Sequence, residues 1–174
     1  ECSKEVWSHF SENCIKSSEK IALGILEVDH QCWFADLSGK IDSPLVLNSF
    51  TDETDATLGT HSGQIMVNVT DKRIAINHLL SHRQIVEVKP IRMKNQLVIR
   101  TRALFNKSVD EFVRKNRSIL LNPIEANDTK EKNLIIAPSY KDISNLMKGL
   151  SHYGDCRLVA FEEIEIHKIS AVKS

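Results

Sequence analysis

No apolar run in this chain approaches the ~20 residues that a membrane-spanning helix needs, so the sequence excludes such a helix among its 174 residues. It has neither a Gly-x-Ser-x-Gly elbow nor a glycine-rich phosphate loop, which removes the usual signatures of serine hydrolases and nucleotide-binding enzymes. No Cys-x-x-Cys pair supplies the common half of a structural zinc site. Net charge is also missing: 23 Lys and Arg balance 23 Asp and Glu.

What is there fits an ordinary folded domain. Hydrophobic residues make up 41% and charged residues 26% of the chain, enough to bury a sizeable core in one domain spanning 1–174. Four cysteines (Cys2, Cys14, Cys32, Cys156) and four Asn-x-Ser/Thr sequons at Asn68, Asn106, Asn116 and Asn127 favour a secreted or periplasmic protein over a cytoplasmic one. The favoured disulfide joins Cys156 to Cys32 or Cys14. Cys2 and Cys14 are kept apart if both lie on one helix, because twelve residues at 1.5 Å rise span roughly 18 Å.

The zero net charge hides a pattern. Residues 1–63 hold 4 Lys/Arg against 11 Asp/Glu, a net of −7. Residues 64–117 hold 12 against 4, a net of +8, and residues 118–174 hold 7 against 8, a net of −1. Such a basic segment attracts anionic partners. The competing reading is that the acidic and basic thirds face one another and cancel.

At the centre of the basic third lies 85–105, read as a β-hairpin. A two-residue turn at Lys94 and Asn95 would put Leu97 and Ile99 on the face of Arg92, with Ile91 and Met93 on that of Arg100. A three-residue turn through Gln96 keeps Ile91, Met93, Leu97, Ile99 and Thr101 together and aligns Arg92, Arg100 and Arg102 opposite, so it is preferred. Pro90, lacking an amide hydrogen, suits an edge strand.

Along the rest of the chain, residues 3–16 fit an amphipathic helix carrying Trp7, Phe10 and Cys14. Lys20–Val28, apolar on both faces, predicts a central strand. Residues 32–37 predict a returning strand, and 48–63 a polar surface loop whose Asp52-Glu53-Thr54-Asp55 forms a solvated acidic tip without calcium-loop spacing. A strand over 64–70 is followed by a turn at 71–73 and another strand at 74–76. Ser108-Val-Asp-Glu111 is a capping box, opening a helix that buries Val109, Phe112, Val113 and Leu120, stops before Pro123 and displays Arg114 and Lys115. Residues 125–132 predict a loop and 133–137 a strand. A helix from Ser139 then buries Ile143, Leu146, Met147 and Leu150, and the last strand, 156–169, bulges at Glu162-Glu163. The expected fold is α+β: a mostly antiparallel, meandering sheet of seven to nine strands packed by an N-terminal helix and two later helices.

Chemistry-bearing patterns are sparse. His78 and His82 would share one face of a helix, but no third ligand is adjacent. His30-x-Cys32 and His152-x-x-x-Cys156 offer two ligands each, with unusual spacing. Gly59-Thr-His-Ser-Gly63 sets a His beside a Ser, which is poor geometry for a base and its nucleophile. The sequence therefore assigns no catalytic residue, metal or cofactor. The leading expectation is a non-enzymatic binding or assembly module engaging an acidic protein surface through Arg92, Arg100 and Arg102, helped by Arg114 and Lys115. The alternative is nucleic-acid binding by the same face, weakened by the lack of an aromatic stacking platform. An enzyme using the His-bearing loops comes third. The sequence does not define an oligomeric state.

Overall fold

A computed structural model describes residues 20–41, 44–50, 53–94, 96–104 and 109–165. The predicted N-terminal helix, Cys2, Cys14, the sequon at Asn106 and the Ser108 end of the capping box lie outside them. The described strands form one eight-stranded antiparallel sheet, as the α+β reading expects, in the order β4-β5-β3-β2-β6-β7-β1-β8. In chain order the elements are β1 (Lys20–His30), α1 (Trp33–Ser38), β2 (Leu45–Phe50), α2 (Glu53–Leu58), β3 (Thr60–Asn68), α3 (Lys72–Ser81), β4 (Ile85–Met93), β5 (Gln96–Leu104), α4 (Val109–Lys115), β6 (Ile119–Asn127), β7 (Lys130–Ala137), α5 (Tyr140–Leu150) and β8 (Gly154–Glu165).

Two apolar clusters build the core. One packs α1 and α3, through Trp33, Phe34, Leu37 and Leu79, on Leu47, Ile65 and Ile99. The other packs α4 and α5, through Val113, Ile143 and Leu146, on Leu26, Val28 and Ile135. Glu131 is registered opposite both Ala126 of the first cluster and Val28 of the second, so both lie on one face of the sheet, meeting at that residue. A smaller cluster around Ile21 and Ile136 occupies the other face. Ile143 and Leu146 are fully buried, each contributing about 1.5–3 kcal/mol relative to exposure.

Several elements follow their sequence signals. β1 is interior, between β7 and β8. α5 starts where Ser139, extended at φ −155°, accepts from the Asp142 amide, and its i, i+3, i+7 residues Ile143, Leu146 and Leu150 are buried. Pro90 lies on β4, an edge strand whose missing donor harms no ladder there.

Other elements depart from expectation. Residues 33–38 are helical because Cys32 acts as N-cap, its Sγ accepting from the Ala35 amide. All but Asp36 are buried, so the run carries no amphipathic period and reads equally as a strand. Residues 74–76 belong to α3, where Ala75, His78 and Leu79 face inward; their β-branched neighbours imitated a strand. The supposed loop at 48–63 holds the end of β2, the helix α2 and the start of β3, with Gly59 at φ +65° after α2. The 108–121 helix ends at Lys115, and Leu120 belongs to β6. Pro123 sits where the β6–β7 register slips between Leu121 and Glu125, a bulge position that tolerates it. The supposed 125–132 loop is the β6–β7 hairpin, closed by Asp128 and Thr129 at φ 48° and 68°, the two positive angles a two-residue turn requires. In β8 the slip lies opposite Ile25/Leu26, between Leu158 and Ala160, earlier than the expected Glu162-Glu163.

Candidate functional site

The hairpin β4–β5 has a two-residue turn. Met93 pairs with Gln96, Ile91 with Val98, Lys89 with Arg100 and Glu87 with Arg102, and Lys94 takes φ 35° in the turn. This corrects the preferred three-residue turn. Leu97, Ile99, Thr101 and Ala103 are buried, while Ile91 and Met93 are exposed. The face had room for one apolar set, and β5, which is paired on both sides, supplied it. Arg92 is registered opposite Leu97, one residue out of phase with the Lys89–Arg100 and Glu87–Arg102 pairs, so the expected alignment of the three positions does not hold in the register.

The outward face of β3, β5 and β4 is built of cross-strand ladders. Met66, Val98 and Ile91 form one, and Gln64, Arg100 and Lys89 the next. Phe50, Ser62, Arg102 and Glu87 follow. A groove of about 130 Å³ runs between Phe50, Glu87, Lys89, Arg100 and Arg102. Met66 and Ile91 are about half exposed, at 50% and 46%. Internal pairing consumes part of the charge: Arg102 lies 3.0 Å from Asp55 and 3.4 Å from Glu87, and Lys89 lies 2.6 Å from Glu87. Lys89 and Arg102 hold the Glu87 carboxyl below its ordinary range. Asp55 is fully buried and also accepts from Thr60 Oγ1 at 2.9 Å, so this residue of the acidic run is not solvated. Arg114 and Lys115 pair along α4 with Asp110 and Glu111 and belong to another part of the surface. Arg102–Asp55 joins a cation of the basic third to a carboxylate of the acidic third, an instance of the mutual cancellation that the charge pattern allows.

Under the sheet, at the seam of the two core clusters, three ligating side chains converge. His30 ends β1, Cys32 caps α1 and Glu131 comes from β7. Their donor atoms all lie within 4.8 Å of one another, and all three residues are buried. Cys32 Sγ donates to Glu131 Oε1 at 2.6 Å. His30 Nε2 lies 3.2 Å from Glu131 Oε2, at ion-pair range but off the straight line of a hydrogen bond. Burial alone would raise the Glu131 carboxyl; the His30 ring, then Cys32 and the Asn133 amide, reverse this and hold it below the ordinary range. Burial works against protonating His30, but the Glu131 carboxylate outweighs it and raises the ring above 6.5. Burial and then Glu131 push the Cys32 thiol well above its ordinary range. Asn133, fully buried two residues along β7, makes no well-directed hydrogen bond through Nδ2 or Oδ1. These groups border a cavity of about 40 Å³ that also meets His61, Ser49 and Asp110, room for two or three waters.

The sequence marked His30 and Cys32 but paired them with His152 and Cys156. The observed third partner is Glu131, 99 residues from Cys32, which no spacing rule connects. Cys32 and Cys156 are both free thiols in this structure, and the alternative partner, Cys14, lies outside the described residues; burial raises the Cys156 thiol to about 11. His61, read as part of a flexible turn, is a buried β3 residue whose ring burial holds below 6.5. His78 and His82 do share a helix face, with ring centroids 5.4 Å apart, but they tie α3 to α1. Lys40 Nζ donates to His78 Nδ1 at 2.9 Å, while His78 Nε2 meets the Trp33 carbonyl at 3.1 Å. That pattern needs a neutral ring, and burial, reinforced by Lys40, lowers its basicity accordingly. His82 Nε2 lies 3.4 Å from Asp36.

Sheet and helices thus define an α+β protein with one outward ladder surface and one buried polar cluster. No protein-family model matches the chain, and no curated protein matches it.

Proposed function

We propose that this domain is a binding module whose outward β3–β5–β4 face docks an acidic segment of a partner protein. The observation that carries it is the juxtaposition of an aliphatic ladder, Met66–Val98–Ile91, exposed at its two outer rungs, with the Arg100–Lys89 ladder beside it. Four cations of the hairpin (Lys89, Lys94, Arg100, Arg102) outnumber the two acids set against them (Glu87, Asp55), leaving +2. A peptide alternating Glu with Leu matches both ladders, its carboxylates on the groove cations and its apolar side chains on the aliphatic row. Binding of nucleic acid draws less support, because the row is aliphatic and, among the described residues, Phe50 is the aromatic at the groove.

The test is fluorescence anisotropy with a labelled Glu/Leu peptide and, separately, a random-sequence DNA duplex. Wild type should bind the peptide with an affinity that falls as salt rises. Arg100→Glu should weaken it by about tenfold or more, equivalent to about 1.4 kcal/mol, while Arg114→Glu leaves it unchanged. Peptide binding indifferent to Arg100→Glu refutes the reading, and tighter, steeply salt-dependent duplex binding replaces it with the nucleic-acid alternative.

A further inference from the structure

We infer that His30, Cys32 and Glu131 form a binding site for one divalent transition-metal ion of the zinc class, its fourth position opening on the cavity beside Asn133. The site is independent of the outward ladder face.

The donor set selects the metal. One imidazole nitrogen, one thiolate sulfur and one carboxylate oxygen suit zinc and its neighbours, whereas calcium and magnesium prefer all-oxygen sets. The three residues come from the end of one strand, the cap of a helix and a second strand, so β1, α1 and β7 fix them from three sides. Bond lengths of ~2.0–2.3 Å in a tetrahedron place nitrogen and oxygen about 3.4 Å apart, and sulfur and oxygen about 3.6 Å apart. The His30–Glu131 separation, 3.2 Å, is already close to that. The Cys32 contact, a hydrogen bond of 2.6 Å, is to the other carboxylate oxygen, Oε1, and must loosen for the sulfur and an oxygen to share the ion. It does so when the metal replaces the thiol proton. Bonds form to a His30 ring nitrogen, Cys32 Sγ and a Glu131 oxygen, and two protons go to solvent, one from the thiol and one from the His30 ring that faces Glu131, with no change in oxidation state.

Two further observations point to a ligand. The Asn133 amide is fully buried, borders the cavity and has no well-directed hydrogen bond, an arrangement that native interiors avoid unless something completes it. The cavity holds about 40 Å³, enough for an ion and its water, with Asn133 hydrogen-bonded to that water, but too small for an organic cofactor. Three protein ligands and one open position describe the exchangeable type of zinc site rather than the closed structural type.

The experiment uses the full chain, loaded with Co(II) and then, separately, with Zn(II), and read by native mass measurement and absorption spectroscopy. Wild type should take up one equivalent and show the sulfur-to-cobalt charge-transfer band and the intense visible absorption of tetrahedral cobalt. Cys156→Ser should behave identically. Cys32→Ser should lose the charge-transfer band and the stoichiometric metal. Asn133→Ala, a second-sphere change, should keep the spectrum while weakening uptake by about 10- to 100-fold. If Cys32→Ser fails to fold, wild type still decides: no stoichiometric uptake, or uptake without the charge-transfer band, overturns the proposal. An undiminished band in folded Cys32→Ser overturns it as well.

Discussion

Replacing His30 with Ala isolates what the buried pair does for stability, and the cost can be worked from its geometry. With side-chain exposures of 6% and 8%, His30 and Glu131 are both out of water, 3.2 Å apart. At an effective dielectric of ~20 the pair interacts by about 5 kcal/mol, and removing one partner of such a pair typically costs about 3–5 kcal/mol, because the other charge stays buried. In the variant, Glu131 keeps the Cys32 thiol but loses the group that does most to hold its carboxyl down. Its carboxyl then titrates above the unfolded value. The penalty is therefore full near pH 7 and shrinks as acid protonates Glu131, so urea unfolding with chelator present should show a much smaller loss at pH 4.5. In wild type the two shifts run oppositely. The Glu131 contribution is present above about 4.3 and lost as pH falls through its lowered folded value. The His30 contribution is present below about 6.5 and lost as pH rises through its raised folded value. Their joint effect peaks in the mildly acidic window between. A His30→Ala cost below ~1 kcal/mol at pH 7, or an equal cost at both pH values, refutes the ion-pair account.

Two glycines make a paired test of backbone against side-chain crowding. At Gly154 a Cβ would lie 2.0 Å from the Asp29 carbonyl oxygen, so Gly154→Ala must open the β1–β8 end and should cost about 3 kcal/mol, whereas at Gly24 the nearest atom, 2.9 Å away, is the mobile Ile143 Cδ1, and Gly24→Ala should cost about 1 kcal/mol. Thermal melts showing the reverse order would sink this reading. Asp55→Ala removes the buried acceptor of Thr60 and Arg102 and should cost about 1.5–3 kcal/mol; an unchanged denaturation midpoint would mean that the pair contributes nothing.

The sequence by itself determined the parts whose signal is local. Ser139 followed by Ile143, Leu146 and Leu150 marks α5 without reference to anything else, since cap and stripe belong to the helix itself. Pro90 points to an edge and Lys20–Val28 to a covered strand for equally local reasons, and the α+β class follows from such elements. Elements whose residues serve a tertiary environment were misread: Trp33–Ser38 is apolar all round because it is buried all round, which erases the period that would reveal a helix. The hairpin turn was decided by burial as well. β5, paired on both sides, buried Leu97 and Ile99, and edge β4 left Ile91 and Met93 in solvent, so keeping all the apolar residues together was the wrong criterion for a sheet edge. For the buried cluster, the sequence offered His30 and Cys32 as neighbours, but Glu131 joins them only because β7 runs antiparallel beside β1 and registers Glu131 against Val28. Strand pairing costs chain entropy over a hundred residues and is decided by the sum of the core contacts, so no local pattern announces which carboxylate will arrive beside a given histidine and thiol.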